Sequence, residues 1–392
     1  MSTSTSLPPP SAVRHRSWGR RSRVVEVLLV AVIVGGAAYG VGQYESLRAP
    51  SGPTLTVWTY PSFFASGNDP NGTLATIVGG FENLTGARVV LEYPSGDLAS
   101  ALLSARPGTL PDVVLGLDEI TAGQVESAGL LLPYTPPNLA SVNTTLAGAL
   151  GPPGEVTPYE FGYLGLDYQR DFNNASGQPF GAGDFFTNLS THPSLASRFI
   201  YEDPVAGSIV GEEFLAWQVE FYTHVLHENW TSFWTGLRSG CPALCPTASP
   251  DWTDAFDAFS SGQGQAVVSY TTDTAYNAYF GYGGSVNSTV AFVGGHAYGW
   301  ETVYGAGILR SSPRLPLAER FVNWMLSGTV QRLVATNEWE YPANQTALSE
   351  LPPVFSLSLS PSAIIPLDGY LPPSQASQEI SQWILQLLAM GA

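Results

Sequence analysis

Between residues 54 and 117, short and almost continuously apolar runs alternate with helix-like stretches. They are TLTVWTY from Thr54, a helix around Leu74 to Leu84, ARVVLEYP from Ala87, a helix around Leu98 to Ala105, and DVVLGLD from Asp112. Strands that are apolar at nearly every position need cover on both faces, which helices packed on a parallel sheet supply. The pattern therefore predicts an α/β fold that opens with a βαβαβ half. A Pro-, Asn- and Thr-rich stretch from Pro133 to Pro158 interrupts it. The alternation resumes with FGYLGLDY (Phe161 to Tyr168), FIYEDP (Phe199 to Pro204) and a helix from Ser208 to about His224. A helix at Thr253 to Phe259, the strand QAVVSYTT from Gln265 and a helix at Thr274 to Phe280 follow. Beyond Ser288 come strands STVAFVGG and TVYGAGILRSS, then one long amphipathic helix from Pro316 to about Thr336. The chain thus leaves one α/β unit for a second and returns, giving lobe 1 at 53–156 plus 295–392 and lobe 2 at 157–294. A cleft between such lobes is where open α/β sheets hold ligands, and hinge closure is the matching motion.

Ahead of this body, Val24 to Val41 (VVEVLLVAVIVGGAAYGV) is 18 residues long, just enough to span a bilayer once. Five Arg lie before it, so residues 1–23 are read as a cytoplasmic basic tail, 24–41 as a membrane anchor and 42–52 as a linker. A cleaved secretory signal is the competing reading, and both place the body outside the cell. Eight of the 14 Asn begin Asn-X-Ser/Thr sequons (Asn71, Asn83, Asn143, Asn174, Asn188, Asn229, Asn287 and Asn344), which fits a surface glycoprotein. Cys241 and Cys245, in CPALC, cannot complete a zinc site by themselves and are expected to close a small disulfide loop.

The chain has no Lys, and residues 49–392 carry 9 Arg against 30 acids, a balance of 9 − 30 = −21. Such a body repels phosphate backbones, so nucleic acid is excluded as a partner. No G-x-S-x-G elbow, P-loop, dinucleotide fingerprint or H-E-x-x-H motif is present, and no enzymatic activity or cofactor is expected. The acidic pairs Asp254/Asp257 and Glu212/Glu213 read as solvated helix faces, as does His224 with His227. Aromatic residues carry the better signal. Among 10 Trp, 18 Tyr and 18 Phe, several stand at strand ends and helix starts: Tyr60, Trp252, Tyr276 and Trp339. Rings converging on one cleft would take a flat cationic or heteroaromatic guest by stacking and cation–π attraction. A separate feature is Asp203 to Gly211, where Gly207 and the N-cap Ser208 open a helix that could hold an anion.

In this order, the chain carries LTVWTYPSF, PDVVLGLDE, TPYEFGYLGLDY, FIYEDPVAGS, WTDAFDAFSSGQGQAVVSYTTDTAYN and NEWEYPANQT, between Leu55 and Thr346. With these segments it resembles the thiamine-binding solute receptors of ABC importers. The resemblance implies a two-lobed type II periplasmic-binding-protein fold, here preceded by a single transmembrane helix. It also implies a monomer that delivers thiamine and its phosphates to a membrane permease and its ATPase. Carried over residue by residue, the family's aromatic cage falls on Tyr60, Trp252, Tyr276 and Trp339, and its phosphate-side loop on Gly207 and Ser208. Pro61 replaces the family's acid after the first Tyr, and its Glu-Asp-Gly segment becomes Tyr93 to Asp97. The carboxylate facing the aminopyrimidine is then Asp97 or is missing. The rivals are the same fold with another small solute (a polyamine, a sugar or a metal complex) and a structural surface glycoprotein.

Overall fold

The computed structural model describes residues 52–391 apart from 107, 153, 240–246 and 282–285. The basic tail, the 24–41 segment, the linker up to residue 51, and both Cys241 and Cys245 lie outside the described residues. No helix among the described residues is long and apolar enough to cross a membrane.

Strands β1 (Thr54–Trp58), β2 (Arg88–Glu92) and β3 (Val113–Leu117) are parallel in the order β2-β1-β3, joined by helices Pro70–Thr85 and Leu98–Ser104. This is the βαβαβ half expected from the apolar runs, and all five residues of β3 are buried. The chain then enters β4 (Val156–Gln169), β5 (Phe199–Glu202), β6 (Thr247–Ser249), β7 (Ala266–Tyr270) and β8 (Val286–Thr289). It continues through β9 (Ala291–Val293), β10 (His296–Gly299), β11 (Glu301–Ile308), β12 (Tyr341–Pro342) and β13 (Ile364–Pro366).

The 14-residue β4 joins the two halves. Its first part, Val156 to Tyr163, pairs antiparallel with β11, while Leu164 to Gln169 pair antiparallel with β7 and β8. The changeover in pairing falls at Tyr163–Leu164. Residues 290–300 carry the chain back, with β9, β10 and β13 as a small separate sheet. Because β4 is hemmed in on both faces, it carries glycine where neighbours come closest. A Cβ on Gly162 would lie 1.7 Å from a Glu340 carboxyl oxygen.

The registers place the cleft. Leu117, the end of β3, pairs with Gly305 of β11, and Tyr270, the end of β7, pairs with Leu164 of β4. The carboxyl ends of the parallel strands of both halves thus face each other across the middle of β4, where open α/β sheets bind ligands.

Three local outcomes differ from the periodicity. The helix expected over Pro316 to Thr336 is two, Leu315–Met325 and Gly328–Asn337, because Ser327 accepts the Val330 N–H and caps a new start. The helix from Ser208 runs α-helical over Ile209–Glu220 and continues as a π-turn over Phe221–Leu226. A C-terminal helix, Pro373–Ala389, buries Ala376, Ile380, Trp383 and Leu387, a four-three-four spacing that lays one stripe against the helix Thr121–Ser127. Many rings fill interiors: Phe186 lies within 5.5 Å of Trp217, Phe221 and Phe233, and Trp217, Trp234 and Trp300 are fully buried.

Candidate functional site

Tyr60 lies just past the end of β1, its ring over Gly116 of β3. Gly116 has φ +100°, and a Cβ there would approach the ring to 2.5 Å, so only glycine leaves the space. The Tyr60 hydroxyl lies 3.0 Å from Glu160 Oε1, 3.3 Å from Glu338 Oε1 and 3.4 Å from the Tyr159 hydroxyl. Burial pushes the Glu160 carboxyl up to about 8, and it drives Glu338 upward too, with Glu160 adding to the effect. Burial also holds the Tyr60 phenol well above its ordinary value, so it stays a neutral donor.

Trp339 follows Glu338 directly. Its indole N–H donates to the Ser66 carbonyl at 2.9 Å and its ring stacks on Phe355 at 6.0 Å and 7°. Tyr276 meets it edge-on at 5.4 Å and 88°, with Tyr279 at 5.1 Å and Phe280 at 5.7 Å. Trp339 has φ +60° and Phe64, whose N–H is bonded to Glu338, has φ +51°. Left-handed backbone costs a bulky residue roughly 1–3 kcal/mol, and such strain persists where surrounding structure holds a functional geometry. Two strained residues on either side of the half-buried Glu338 carboxyl mark this corner of the cleft.

Trp252 is reached less directly. It stacks on Phe256 at 4.9 Å and 13°, remains 37% exposed, and brings its indole N–H to 3.4 Å from Ser269 Oγ on β7. Ser269 in turn donates to Asp273, at the start of the helix that bears Tyr276. The structure thus brings Tyr276 and Trp339 into contact, joins Tyr60 to them through Glu338, and sets Trp252 at an exposed edge.

The two halves touch across the cleft. Tyr270 and Tyr304 hydroxyls lie 3.1 Å apart, Asn68 Nδ2 donates to the Tyr279 hydroxyl at 2.7 Å, and Thr274 Oγ1 lies 3.0 Å from Ser358 Oγ.

Near the ends of β3 and β5 and the start of β12 lies a set of acids that the sequence did not point to as a site. Glu213 is fully buried, not on a solvated face; its helix is buried from Glu213 through Glu220, because β5, the turn Asp368–Tyr370 and the C-terminal helix pack against it. Around Glu213 stand Asp118 and Glu119 after β3, Glu202 at the end of β5, and Glu340 before β12. Both Glu213 carboxyl oxygens and Glu340 Oε2 have no hydrogen-bond partner among the described residues. Burial first, and the neighbouring carboxyls second, push Glu213 and Glu340 well above the usual range. Burial raises Glu202 and Glu212 to about 7 and Asp118 to about 6, the last held back by N–H groups of Thr121 and Ile120. Among the described residues the ion pairs lie elsewhere, at Arg314–Asp112, His224–Glu220 and Arg332–Glu350.

Asp97 caps the helix Leu98–Ser104 by accepting the Ser100 N–H at 2.8 Å, and its charge reaches Asp118 and Glu212. Gly207 is exposed with φ +81°. The Ser208 hydroxyl accepts the Gly211 N–H at 3.2 Å and donates to Glu202, so a carboxyl already stands at this helix start. Asp254 and Asp257 are exposed, and His224 stacks on Tyr370 at 3.9 Å. Among the described residues no group of three or more His, Cys, Asp or Glu is arranged to hold a metal ion. One sequon is corrected outright: Asn344 is buried, its Nδ2 donating to Ser141 Oγ and the Leu326 carbonyl while its oxygen caps a helix. The oxygens of Asn143, Asn174 and Asn229 likewise accept the N–H two residues on, so capping explains part of the sequon excess.

No family model matches the chain. The chain is 26% identical over 341 residues to the thiamine-binding periplasmic protein of Escherichia coli (strain K12), covering 84% of this chain and 92% of the relative. Among solved structures it is similar to a periplasmic thiamin binding protein, with a TM-score of 0.67 and 23% identity over 87% of this chain and 96% of that one. It is also similar to iron-bound HitA from Pseudomonas aeruginosa, with a TM-score of 0.60 and 22% identity over 86% and 99%. The resemblance carried by the sequence segments is matched in curated relatives, and the fold is that of a periplasmic binding protein.

Proposed function

We propose that this chain is the solute-binding component of an ABC importer and that it captures thiamine between its lobes for a membrane permease and ATPase. In this reading it has no catalytic role, its body lies outside the cytoplasm, and residues 24–41 tether it to the membrane.

One observation carries the reading. Rings from opposite halves, Tyr276 and Trp339, meet, while Glu340, next to Trp339 in the chain, and Glu213 keep buried carboxyl oxygens that no side-chain cation neutralises among the described residues. Thiamine brings a flat pyrimidine for the rings and a permanent thiazolium charge for the acids. The names of its relatives point to the same guest. Three or four ring contacts at about 1–2 kcal/mol each give roughly 6 kcal/mol, whereas nanomolar binding takes about 12. The rest must come from carboxyl contacts and from burial as the lobes close.

The test is intrinsic fluorescence. Thiamine is expected to quench Trp emission at sub-micromolar concentration, and Trp339→Ala and Tyr276→Ala each to lose most of the binding. Emission that stays unchanged up to a millimolar excess rejects the reading. Because iron-bound HitA shares the fold, a thermal-shift screen including polyamines, sugars and iron separates thiamine from other guests, since the preferred ligand raises the melting temperature most.

A further inference from the structure

The charges at the cleft have a single sign. Around the carboxyl ends of the strands stand Asp118, Glu160, Glu202, Glu213 and Glu340, all of them buried, with Glu338 half-buried beside Glu160. The cations lie elsewhere. Arg310 bonds the Leu131 carbonyl and Arg314 pairs with Asp112, both at the amino end of β3. Arg198 precedes β5 and bonds Gln265, again at the amino end of its strand, and Arg332 pairs with Glu350 on the outer surface. The chain holds no Lys to fill the gap.

The anion-binding device of the fold is also occupied from within. The start of helix Ile209–Glu220 offers N–H groups and a positive dipole end, where a phosphate is normally stabilised. Here the Ser208 hydroxyl is turned to Glu202, a carboxyl only 2% exposed, and Glu213 on the first turns of the same helix is fully buried with both oxygens lacking a partner among the described residues. A phosphate brought to this helix would meet carboxyls in place of cations. A group with positive charge or N–H donors would instead satisfy the orphaned oxygens of Glu213 and Glu340, which lie on opposite lobes.

Building on the thiamine reading, we propose that this cleft selects the unphosphorylated form: it takes guests that place a cationic or N–H-bearing group between Glu213 and Glu340, and it rejects their phosphate esters. Isothermal titration of the protein with thiamine, thiamine monophosphate and thiamine diphosphate at pH 7.5 tests this. Thiamine is expected to bind at least 100-fold tighter than either ester. Glu202→Gln, which keeps the shape and removes the charge beside Ser208, is expected to narrow that ratio at least tenfold by tightening the esters. Glu213→Gln is expected to weaken thiamine at least tenfold, and circular dichroism spectra matching the parent protein show that both variants fold. Thiamine and its esters binding with equal affinity, or a ratio that Glu202→Gln leaves unmoved, overturns the selectivity while leaving the thiamine reading standing. Failure of all three ligands to bind overturns the thiamine reading itself and the selectivity with it.

Discussion

Replacing Glu160 by Gln tests the electrostatics of the cleft in isolation from any ligand. Glu160 is 1% exposed on β4, and burial lifts its carboxyl from 4.5 to about 8. Below pH 4.5 the group is protonated in folded and unfolded chains alike, so its contribution to stability is fully present. Above that the unfolded chain ionises while the fold keeps the proton, and stability falls by about 1.4 kcal/mol per pH unit. The loss ends near pH 8, where the folded group ionises as well, for a total of about 3–5 kcal/mol. Gln keeps an acceptor 3.0 Å from the Tyr60 hydroxyl but cannot titrate. Urea unfolding followed by circular dichroism, at half-unit steps from pH 4.5 to 8, gives the free energy of each protein. The difference between parent and variant should shift steadily in favour of Gln by about 3–5 kcal/mol across that window. Parallel profiles would refute the reasoning, because they would mean that Glu160 ionises as easily inside the cleft as in water.

Gly162→Ala places a methyl 1.7 Å from the Glu340 carboxyl, and should cost about 1–3 kcal/mol by thermal melting while weakening thiamine by titration. Gly116→Ala combines φ +100° with a 2.5 Å clash on the Tyr60 ring, so both stability and thiamine affinity should fall. Asn344→Ala removes a helix cap and two buried donor bonds, and about 2 kcal/mol or more of unfolding free energy should go with it; glycopeptide mass spectrometry should find Asn344 unmodified. Thiamine affinity should rise between pH 6 and 8, because the cation favours the ionised forms of carboxyls the empty cleft keeps protonated. Those groups are Glu202 at about 7 and Glu213, which faces Glu119, Glu340, Tyr270 and Tyr304. A flat pH profile would count against that linkage.

The first half of the sheet was legible because short, mostly apolar runs, with β3 apolar at every position, alternate with helix-like stretches, and that pattern has few other solutions. The split at Ser327–Gly328 was harder to read, since the apolar stripe runs on through a cap whose strength lies in one hydroxyl. Motif order singled out four rings, and of these the fold brings Tyr276 and Trp339 into contact. Trp252 shows the limit of that reading, because spacing fixes a place in the chain and not the direction of an indole. Glu213 was misread for a plainer reason. Adjacent acids resemble a solvated face, yet Phe214 to Trp217 are four apolar residues in succession, covering every side of the helix, and that lack of amphipathicity was the available clue. Glu338 and Glu340 flank Trp339 in NEWEYP and carried no pattern of their own; only the folded chain sets them against Glu160 and Asp273.

In the proposed importer component, the distribution of acids between the halves sets the direction of closure. Asp118 and Glu340 come from the first half of the sheet, Glu202 and Glu213 from the second, so bringing the halves together brings like charges together. In an empty cleft that approach is tolerated only if the carboxyls hold protons, which is what their raised affinities mean. A cation between them reverses the sign of the interaction and gains most in the closed arrangement, where water is excluded and acids from both sides reach it. A ligand shifts a conformational equilibrium only by its difference in affinity for the two states. In the proposed function the carboxyls supply that difference, and stacking on Trp339 and Tyr276 adds binding that grows with the same closure.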